Sequence, residues 1–326
     1  MLTMPKCHDC GRFCRPVEWK MIYSGAPPEP QEEIYKCATC AEKNGSFHPQ
    51  TGIKPEHSCG HLVLGALAHG EKMVEHLIFA SYGNDSIALI QWAHERGLPG
   101  VHVAYGDTAW AADWWAGRVD QAEAWVRTLG FVPHRIAGEG MEALVARKKA
   151  WPRGGGGKYQ FCTEALKKAP ARAWLAMHDP EGETTCLTGV RREESENRRD
   201  APEHVLASED HGGRELWQPL VRHSEAERNA LVLKTPLPLL PFRSKECYPC
   251  VNARKGELKL LDGEARDRVH RIEVLAGVNS NGNARVMFSP ARHGGAVGID
   301  AVIEDAKHNS DELFTTAGCA SGWCGG

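Results

Sequence analysis

The chain has 326 residues, 42% of them apolar and 25% charged, with a formal charge of −3. That length can bury a large core and suits one large domain with a small companion, while the near-balanced charge excludes a generally basic surface for non-specific nucleic-acid binding and leaves only local patches. No run approaches the roughly 18 apolar residues of a membrane span, and the N-terminus reaches Lys6 and Cys7 before any signal-peptide core, so a cytoplasmic protein with no membrane segment is expected.

Twelve cysteines are many for this length, and without a secretory signal paired cysteines read as metal or cluster ligands before disulfides. Residues 1–60 are expected to form a small module around Cys7-x-x-Cys10 and Cys37-x-x-Cys40, two short turns whose four thiolates suit tetrahedral Zn²⁺. Between them Trp19, Met21, Ile22 and Tyr23 are too few to hold a fold unaided, so the metal would supply much of the stability. His8 and Cys14 could replace one ligand, and His48, His57 and Cys59 are spare donors. A redox role is disfavoured because neither pair follows a strand and opens a helix. His57, Cys59 and His61 alternate, but a linker entering a helix with Leu62, Leu64, Leu67 and Ala68 accounts for them.

Residues 61–235 are expected to form the main domain. Val74 and Leu77 to Ala80 read as a buried strand, and Ser81-Tyr-Gly-Asn-Asp-Ser86 as a tight polar loop. Ile87 to Ala93 then sets up a helical face. Such a loop leaves backbone N–H groups at the helix N-terminus for a phosphate, with the Ser81 and Ser86 hydroxyls at hand and Gly83 allowing close approach. A strand–turn–helix also occurs without any ligand.

Val101, Val103 and Tyr105 alternate as a second strand that ends in Gly106-Asp107-Thr108, beyond whose carboxyl end a parallel sheet would place ligands. Trp110, Trp114, Trp115, Val119, Ala122, Trp125 and Val126 mark a helix whose stripe reads as core, Phe131 to Ile136 a third strand, and Met141 to Ala150 another helix. Trp151 to Lys158 reads as a flexible hinge that could close over a substrate or simply be an exposed linker. Thr184 to Val190 is a further strand, followed by the mixed-charge run Arg191 to Arg199. Leu216 and Trp217 lead toward another helix, and Pro236, Pro238 and Pro241 mark the exit from the sheet.

Residues 236–326 are expected to be a cysteine-containing helical and irregular region packed on the nucleotide site. Cys247-Tyr-Pro-Cys250 precedes a helix carrying Leu258, Leu261, Ala265, Val269, Ile272 and Ala276 at helical spacing, and Asn279 to Gly298 reads as loops about a small strand, Val286-Met-Phe288. One C-x-x-C pair needs two more ligands, for which Cys162 and then Cys319 or Cys324 are candidates. An iron–sulfur cluster, zinc and free or disulfide-forming thiols all stay open.

Three segments in order resemble the phosphoadenosine-phosphosulfate (PAPS) reductase and ATP-pyrophosphatase (PP-loop) superfamily. Ser81 to Ser86 is similar to its S-x-G-x-D-S pyrophosphate loop, and Asp107-Thr108 to its D-T segment. Thr188-Gly189-x-Arg191-x-x-Glu194-Ser195-x-x-Arg198 is similar to its T-G-x-R-x-x-E-S-x-x-R segment. Cys162-Thr163-x-x-Leu166-Lys167 also resembles its C-T-x-x-L-K segment, where the cysteine can ligate a cluster and the lysine contact phosphate. The glycine and glutamate that follow the family's D-T are replaced by Ala109-Trp110-Ala-Ala-Asp113, and there is no Walker G-x-x-x-x-G-K-[ST] loop.

The resemblance covers roughly residues 74–255 and implies a parallel α/β sheet with helices on both faces. It implies ATP or PAPS as the nucleotide, held by Ser81, Gly83, Asn84, Asp85, Ser86, Asp107, Thr108, Gly189 and Ser195. Asp85, Lys167, Arg191 and Arg198 would be catalytic, Asp85 as a Mg²⁺ or water ligand, and the arginines as forks for a phosphate or sulfate. Family members with a four-cysteine [4Fe–4S] cluster, among them the sulfur-inserting enzyme of DNA phosphorothioation, imply the same for Cys162, Cys247, Cys250 and Cys319, with Cys324 as alternative.

Two reactions follow: adenylylation with release of pyrophosphate and then sulfur transfer, or reduction of PAPS by a tail cysteine. The D-S ending and the absence of the reductase's glutamate-cysteine-glycine-leucine-histidine tail favour the first. A nucleic-acid acceptor, a sulfur-donor protein or thioredoxin-like reductant, and a homo-oligomer are compatible partners. A non-catalytic nucleotide or nucleic-acid binding module is the reading of another class.

Overall fold

The computed structural model describes residues 74–154, 159–290 and 293–308, and the backbone of 19–24 and 32–37. The chain divides into two compact units, Met1–Glu71 and Lys72–Gly326. In the first, β1 (Trp19–Ser24) pairs antiparallel with β2 (Glu32–Cys37), in register from Trp19 opposite Cys37 to Ser24 opposite Glu32. Cys7, Cys10 and Cys40 lie outside the described residues, as do His57, Cys59 and His61, and the side chain of Cys37 is not described.

The second unit is built on a six-stranded sheet. Its strands are β3 (His76–Ala80), β4 (Val101–Asp107), β5 (Val132–Ala137), β6 (Thr185–Leu187), β7 (His204–Ser208) and β8 (Arg214–Trp217), in the order β5-β4-β3-β6-β8-β7. All neighbours are parallel except β7, which runs antiparallel to β8. The expected parallel sheet therefore carries one antiparallel edge strand. Only one side of β7 is paired, its ladder is irregular between Val205 and Ser208, and Leu206 is 84% exposed. An edge strand that buries so little gives no clean apolar alternation to read.

Alternate residues of β3 face opposite sides, as the pleat requires. Ile78 and Ala80 join Val103 and Tyr105 in a core with Ile87 and Ile90 of α1 (Asn84–Glu95), Val119 and Val126 of α2 (Trp115–Thr128), and Val232 of α5 (Glu225–Val232). Leu77, Ala104, Ile136 and Cys186 pack on the other face with Leu175. Leu175 belongs to α4, which runs as α-helical Phe161–Thr163, π-helical Glu164–Lys168 and α-helical Ala169–His178. Helices on both faces explain why the central strands read as continuous apolar runs.

A second core lies beside the sheet. Met141 and Leu144 of α3 (Met141–Lys148) meet Leu258 of α6 (Lys255–Lys259), Val269 and Ile272 of α7 (Gly263–Ala276) and Val302 of α8 (Ile299–His308). Met287 and Phe288, expected as a small strand, are buried in this core without forming one. The Glu273 carboxylate accepts the Met287 and Ile299 N–H groups, each at 3.0 Å, and so fixes the loop that carries them. The described part of the expected hinge is anchored too. Trp151 is buried edge-on to Trp110, and a Cβ on Gly154 would lie 2.6 Å from the Val251 carbonyl.

Candidate functional site

The sheet order reverses between β3 and β6. From β3 the chain winds outward through β4 and β5, then returns to lay β6 against the other side of β3. The carboxyl ends of β3 and β6 flank this switch point, where open α/β sheets hold ligands. Ser81–Ser86 follows β3 and Thr188–Arg198 follows β6, so two of the segments read from the sequence meet here.

The first loop is tightly braced. Tyr82 takes a left-handed φ of 56° and is fully buried, its ring stacked on Tyr105 at 5.7 Å. Ser81 Oγ accepts the Gly83 N–H at 3.3 Å, and Ser86 Oγ donates to the Gly83 carbonyl at 3.1 Å. Gly83 opens α1 with no side-chain cap, which leaves first-turn N–H groups for a ligand or water. Its missing side chain is needed, because a Cβ would stand 2.9 Å from that of Ser244. Asn84 is committed to the protein, donating to the Leu240 carbonyl at 2.8 Å and accepting the Leu240 N–H at 3.0 Å. Behind the loop, buried Arg118 donates to the Tyr82 carbonyl at 2.7 Å, and burial pushes its guanidinium down to about 10.

Asp85 is gripped from two sides. Arg191 Nε donates to Oδ1 at 2.5 Å, and Arg228 Nη1, from α5, donates to Oδ2 at 3.2 Å. Gly189 makes this approach possible, since a Cβ there would lie 2.9 Å from the Asp85 carbonyl oxygen. Arg198 pairs with Glu194, and the Glu194 carboxyl interacts electrostatically with Asp85 and Arg191 as well. Arg191, Arg198, Arg228 and Asp85 are only 5%, 3%, 6% and 6% exposed. Three guanidinium groups thus face two largely buried carboxylates, and the exposed Glu193 and Glu225 pair with Arg191 and Arg228 at the rim.

Burial works against the Arg191 cation, but the Asp85 charge and hydrogen bond hold its pKa above the ordinary value. Burial raises the Glu194 carboxyl, against the opposing pull of Arg198. Two buried polar atoms of this segment, Nη1 of Arg191 and Oγ of Ser195, lack a hydrogen-bond partner. The Glu193 carboxylate stands 3.6 Å from that Nη1, beyond hydrogen-bond range.

Residues 236–250 cross the carboxyl ends of β3 and β4 as a strap. Besides the Leu240 and Ser244 contacts, Arg118 donates to the Pro238 carbonyl and Thr108 Oγ1 to the Glu246 carbonyl at 2.7 Å. The Ala112 N–H bonds the Lys245 carbonyl, and the Tyr248 N–H the Trp110 carbonyl. Thr108 is therefore fully buried in holding the strap, whereas Asp107 is half-buried with its Oδ1 on the Ala109 N–H at 2.8 Å.

The strap carries Glu246, which forms a buried ion pair with Lys167 on the π-helical turn of α4. Cys162, Cys247 and Cys250 line one small cavity with Thr108, Gln160 and Lys167. Cys250 Sγ accepts the Asn252 N–H at 3.4 Å. Burial pushes the Cys247 thiol up to about 11, with Lys167 pulling it down and Glu246 raising it. Among the described residues no group of three or more His, Cys, Asp or Glu side chains is placed to hold a metal ion. Cys319 and Cys324 lie outside the described residues.

The structure thus brings Ser81, Gly83, Asp85, Ser86, Gly189, Arg191, Ser195 and Arg198 to one switch point, and Lys167, Thr108 and three cysteines to the neighbouring cavity. Arg228, Arg118 and Glu246 were missed. Glu246 was adjacent to a noted cysteine, whereas Arg228 lies 143 residues from its partner in an ordinary polar helix.

No family model matches the chain, and no curated protein matches it. Among solved structures it is similar to the phosphoadenylyl-sulfate (PAPS) reductase from Candida auris, determined as a phosphate complex. The two are 14% identical, with a TM-score of 0.36, over 51% of this chain and 74% of that one. No helix among the described residues is long and apolar enough to cross a membrane.

Proposed function

We propose that the chain is a PP-loop enzyme of sulfur chemistry that binds an adenine nucleotide with its phosphates at the Ser81–Ser86 loop. The observation that carries this reading is the cluster of three buried guanidinium groups at the switch point, where Arg191 Nη1 and Ser195 Oγ lack hydrogen-bond partners. A buried donor left without an acceptor is costly, and the uncapped start of α1 adds N–H groups suited to phosphate. The resemblance at Ser81–Ser86 and Thr188–Arg198 makes that anion a nucleotide's phosphates.

In the reaction we favour, an acceptor oxygen attacks the α-phosphorus of ATP, the bond to the bridging oxygen breaks, and pyrophosphate leaves. The acceptor's proton passes to solvent, and a sulfur nucleophile from a donor protein then displaces AMP from the adenylylated acceptor, a nucleic acid or nucleotide. Arg191 offers its open N–H to charge developing on the phosphoryl oxygens, and Arg198 and Ser195 support the same segment. A Mg²⁺ ion, which would neutralise charge on the triphosphate, does not suit Asp85, whose two oxygens are already bound by guanidinium groups. Asp107 is the carboxylate that suits it better.

For the second cysteine set the proposal is an iron–sulfur cluster, with zinc or free thiols as the alternatives, because Cys162, Cys247 and Cys250 line one cavity. Cys319 or Cys324 would complete the set, and such a cluster supplies redox-active sulfide chemistry when bound. Zinc at Cys7, Cys10, Cys37 and Cys40 remains part of the proposal for residues 1–60.

The test is parallel assay of pyrophosphate release from ATP and sulfite release from PAPS, on protein purified anaerobically and examined by absorption spectroscopy. Pyrophosphate without sulfite is expected. Sulfite from PAPS with no turnover of ATP would move the assignment to a thiol-dependent reductase, in which a tail cysteine attacks the sulfur of PAPS. Binding without turnover of either would leave a nucleotide-binding module.

A further inference from the structure

We propose that Arg118 is a positioning residue of the anion loop. It fixes the Tyr82–Gly83 peptide, and through that peptide it sets the Ser81 hydroxyl to donate to a phosphate oxygen. The inference rests on the reading that the Ser81–Ser86 loop takes a nucleotide's phosphates, and adds to it a residue of α2 outside every motif read from the sequence.

Arg118 is a buried guanidinium without an ion pair. It is 6% exposed, and among the described residues no carboxylate pairs with it. The acidic residues that follow it on α2 are taken elsewhere: Asp120 pairs with Arg135, and Glu123 with Arg135 and Arg127. What holds Arg118 is backbone and an aromatic face. Nε donates to the Tyr82 carbonyl at 2.7 Å, Nη1 to the Pro238 carbonyl at 3.2 Å, and the guanidinium carbon lies 5.6 Å from the centre of the Trp115 ring. A buried cation is costly without a carboxylate, and this one is given to two carbonyls, one of the anion loop and one of the strap.

The Tyr82 carbonyl matters because of the peptide it belongs to. In a trans peptide the carbonyl and the next N–H point in opposite directions, so a Tyr82 oxygen held toward Arg118 turns the Gly83 N–H the other way. That N–H meets Ser81 Oγ at 3.3 Å. The hydroxyl oxygen is thus engaged as an acceptor, and its hydrogen, which no described protein group accepts, is left for an incoming oxygen. Without the hold the peptide can turn. Gly83 tolerates either sign of φ, and Tyr82 sits at a left-handed φ of 56°, which is costly for a residue with a side chain. A turned peptide would aim the Tyr82 oxygen at Ser81 and draw the hydroxyl hydrogen away from the ligand.

The experiment is a double-mutant cycle between Arg118 and Ser81, read as the Kd of inorganic pyrophosphate and of ATP for the full chain, with a thermal melt of every variant. Arg118→Gln and Ser81→Ala are each expected to weaken pyrophosphate binding about tenfold, the loss of one well-directed hydrogen bond to a charged group. The double variant should bind about as weakly as either single one, because both changes remove the same bond. If Arg118 only braced α2 against the strap, the melting temperature would fall, and any loss of affinity would multiply with that of Ser81→Ala to about 100-fold.

Wild-type affinity in a folded Arg118→Gln or Ser81→Ala protein overturns the proposal, as do losses that multiply in the double variant. If Arg118→Gln does not fold, Arg118→Lys takes its place in the cycle. One ammonium cannot span both carbonyls, so a loss of about threefold is expected that disappears in the Ser81→Ala background. A loss that persists there overturns the proposal, as does wild-type affinity. If neither variant folds, Arg118 serves the core alone and the proposal fails. A wild-type chain that binds neither pyrophosphate nor ATP removes the anion reading and this inference with it, whereas a binding wild type with a multiplicative cycle removes the inference alone.

Discussion

Two buried charge clusters stand at the carboxyl ends of neighbouring strands, and they are satisfied differently. Beyond β3 and β6, three arginines meet the buried Asp85 and Glu194, and Arg191 Nη1 lacks a hydrogen-bond partner. Beyond β4, Lys167 meets Glu246 beside three thiols. In the proposed reading the first cluster is the one that takes an anion. The second centres on its ion pair and ties α4 to the strap that carries Cys247 and Cys250. Burial alone therefore does not mark a phosphate site, because an unfilled donor is needed as well.

The largest expected effect is at Arg191. Arg191→Ala removes the open N–H edge and leaves Asp85 to Arg228 alone, so nucleotide affinity or kcat/KM should fall by about 100-fold or more. Folding stability should drop by about 3 kcal/mol, as for a broken buried pair. Isothermal titration with ATP and chemical denaturation would measure the two. Unchanged affinity in a folded variant would erase the distinction between the clusters.

Glu246→Gln tests the closed pair. It strands the Lys167 cation in a buried setting and should cost about 3 kcal/mol of stability by chemical denaturation. Because Glu246 raises the Cys247 thiol, its loss lowers that pKa from about 11, and alkylation of Cys247 at fixed pH should become faster. Slower alkylation would mean that Glu246 does not govern the thiol.

Gly189→Ala probes the contact on which the first cluster depends. The added Cβ would meet the Asp85 carbonyl at 2.9 Å, and backbone must yield on both sides. About 1–3 kcal/mol of stability should be lost, with weaker nucleotide binding as Arg191 shifts. A melt and an ATP titration check it, and a variant equal to wild type in both would show that the segments are not pressed together.

The open cluster was largely legible in the sequence because its parts are local. Ser81–Ser86 and Thr188–Arg198 each follow a short apolar strand, and it was their likeness to known motifs, more than their own spacing, that pointed to an anion. Their meeting follows from the strand order, which only the parallel-sheet expectation implied. Arg228 was not legible, since its role is set by a carboxylate on another helix rather than by its own neighbours. Pro236, Pro238 and Pro241 mark the exit from the sheet and an irregular path, but they do not announce that Leu240 would lock onto Asn84. By contrast, α8 could have been read from Ile299, Val302, Ile303 and Ala306 at helical spacing.

The smallest effect separates both carboxylate clusters from acid sensitivity elsewhere. His102 and His134, on β4 and β5, share a ring-nitrogen hydrogen bond at 2.8 Å, and burial with the nearby His102 and His178 pushes His134 down to about 4. An unfolded chain protonates this ring near pH 6.5. Between about pH 6.5 and 4 the unfolded state therefore binds the extra proton, and stability falls as pH falls, while above 6.5 the contribution is complete. Allowing for the partial exposure of His134, the loss by pH 5 should be about 1 kcal/mol. Denaturant midpoints measured from pH 7.5 to 5 should slope accordingly, and His134→Gln should flatten that slope while leaving pyrophosphate affinity alone. A slope that survives His134→Gln unchanged would trace the acid sensitivity to a group other than this histidine pair.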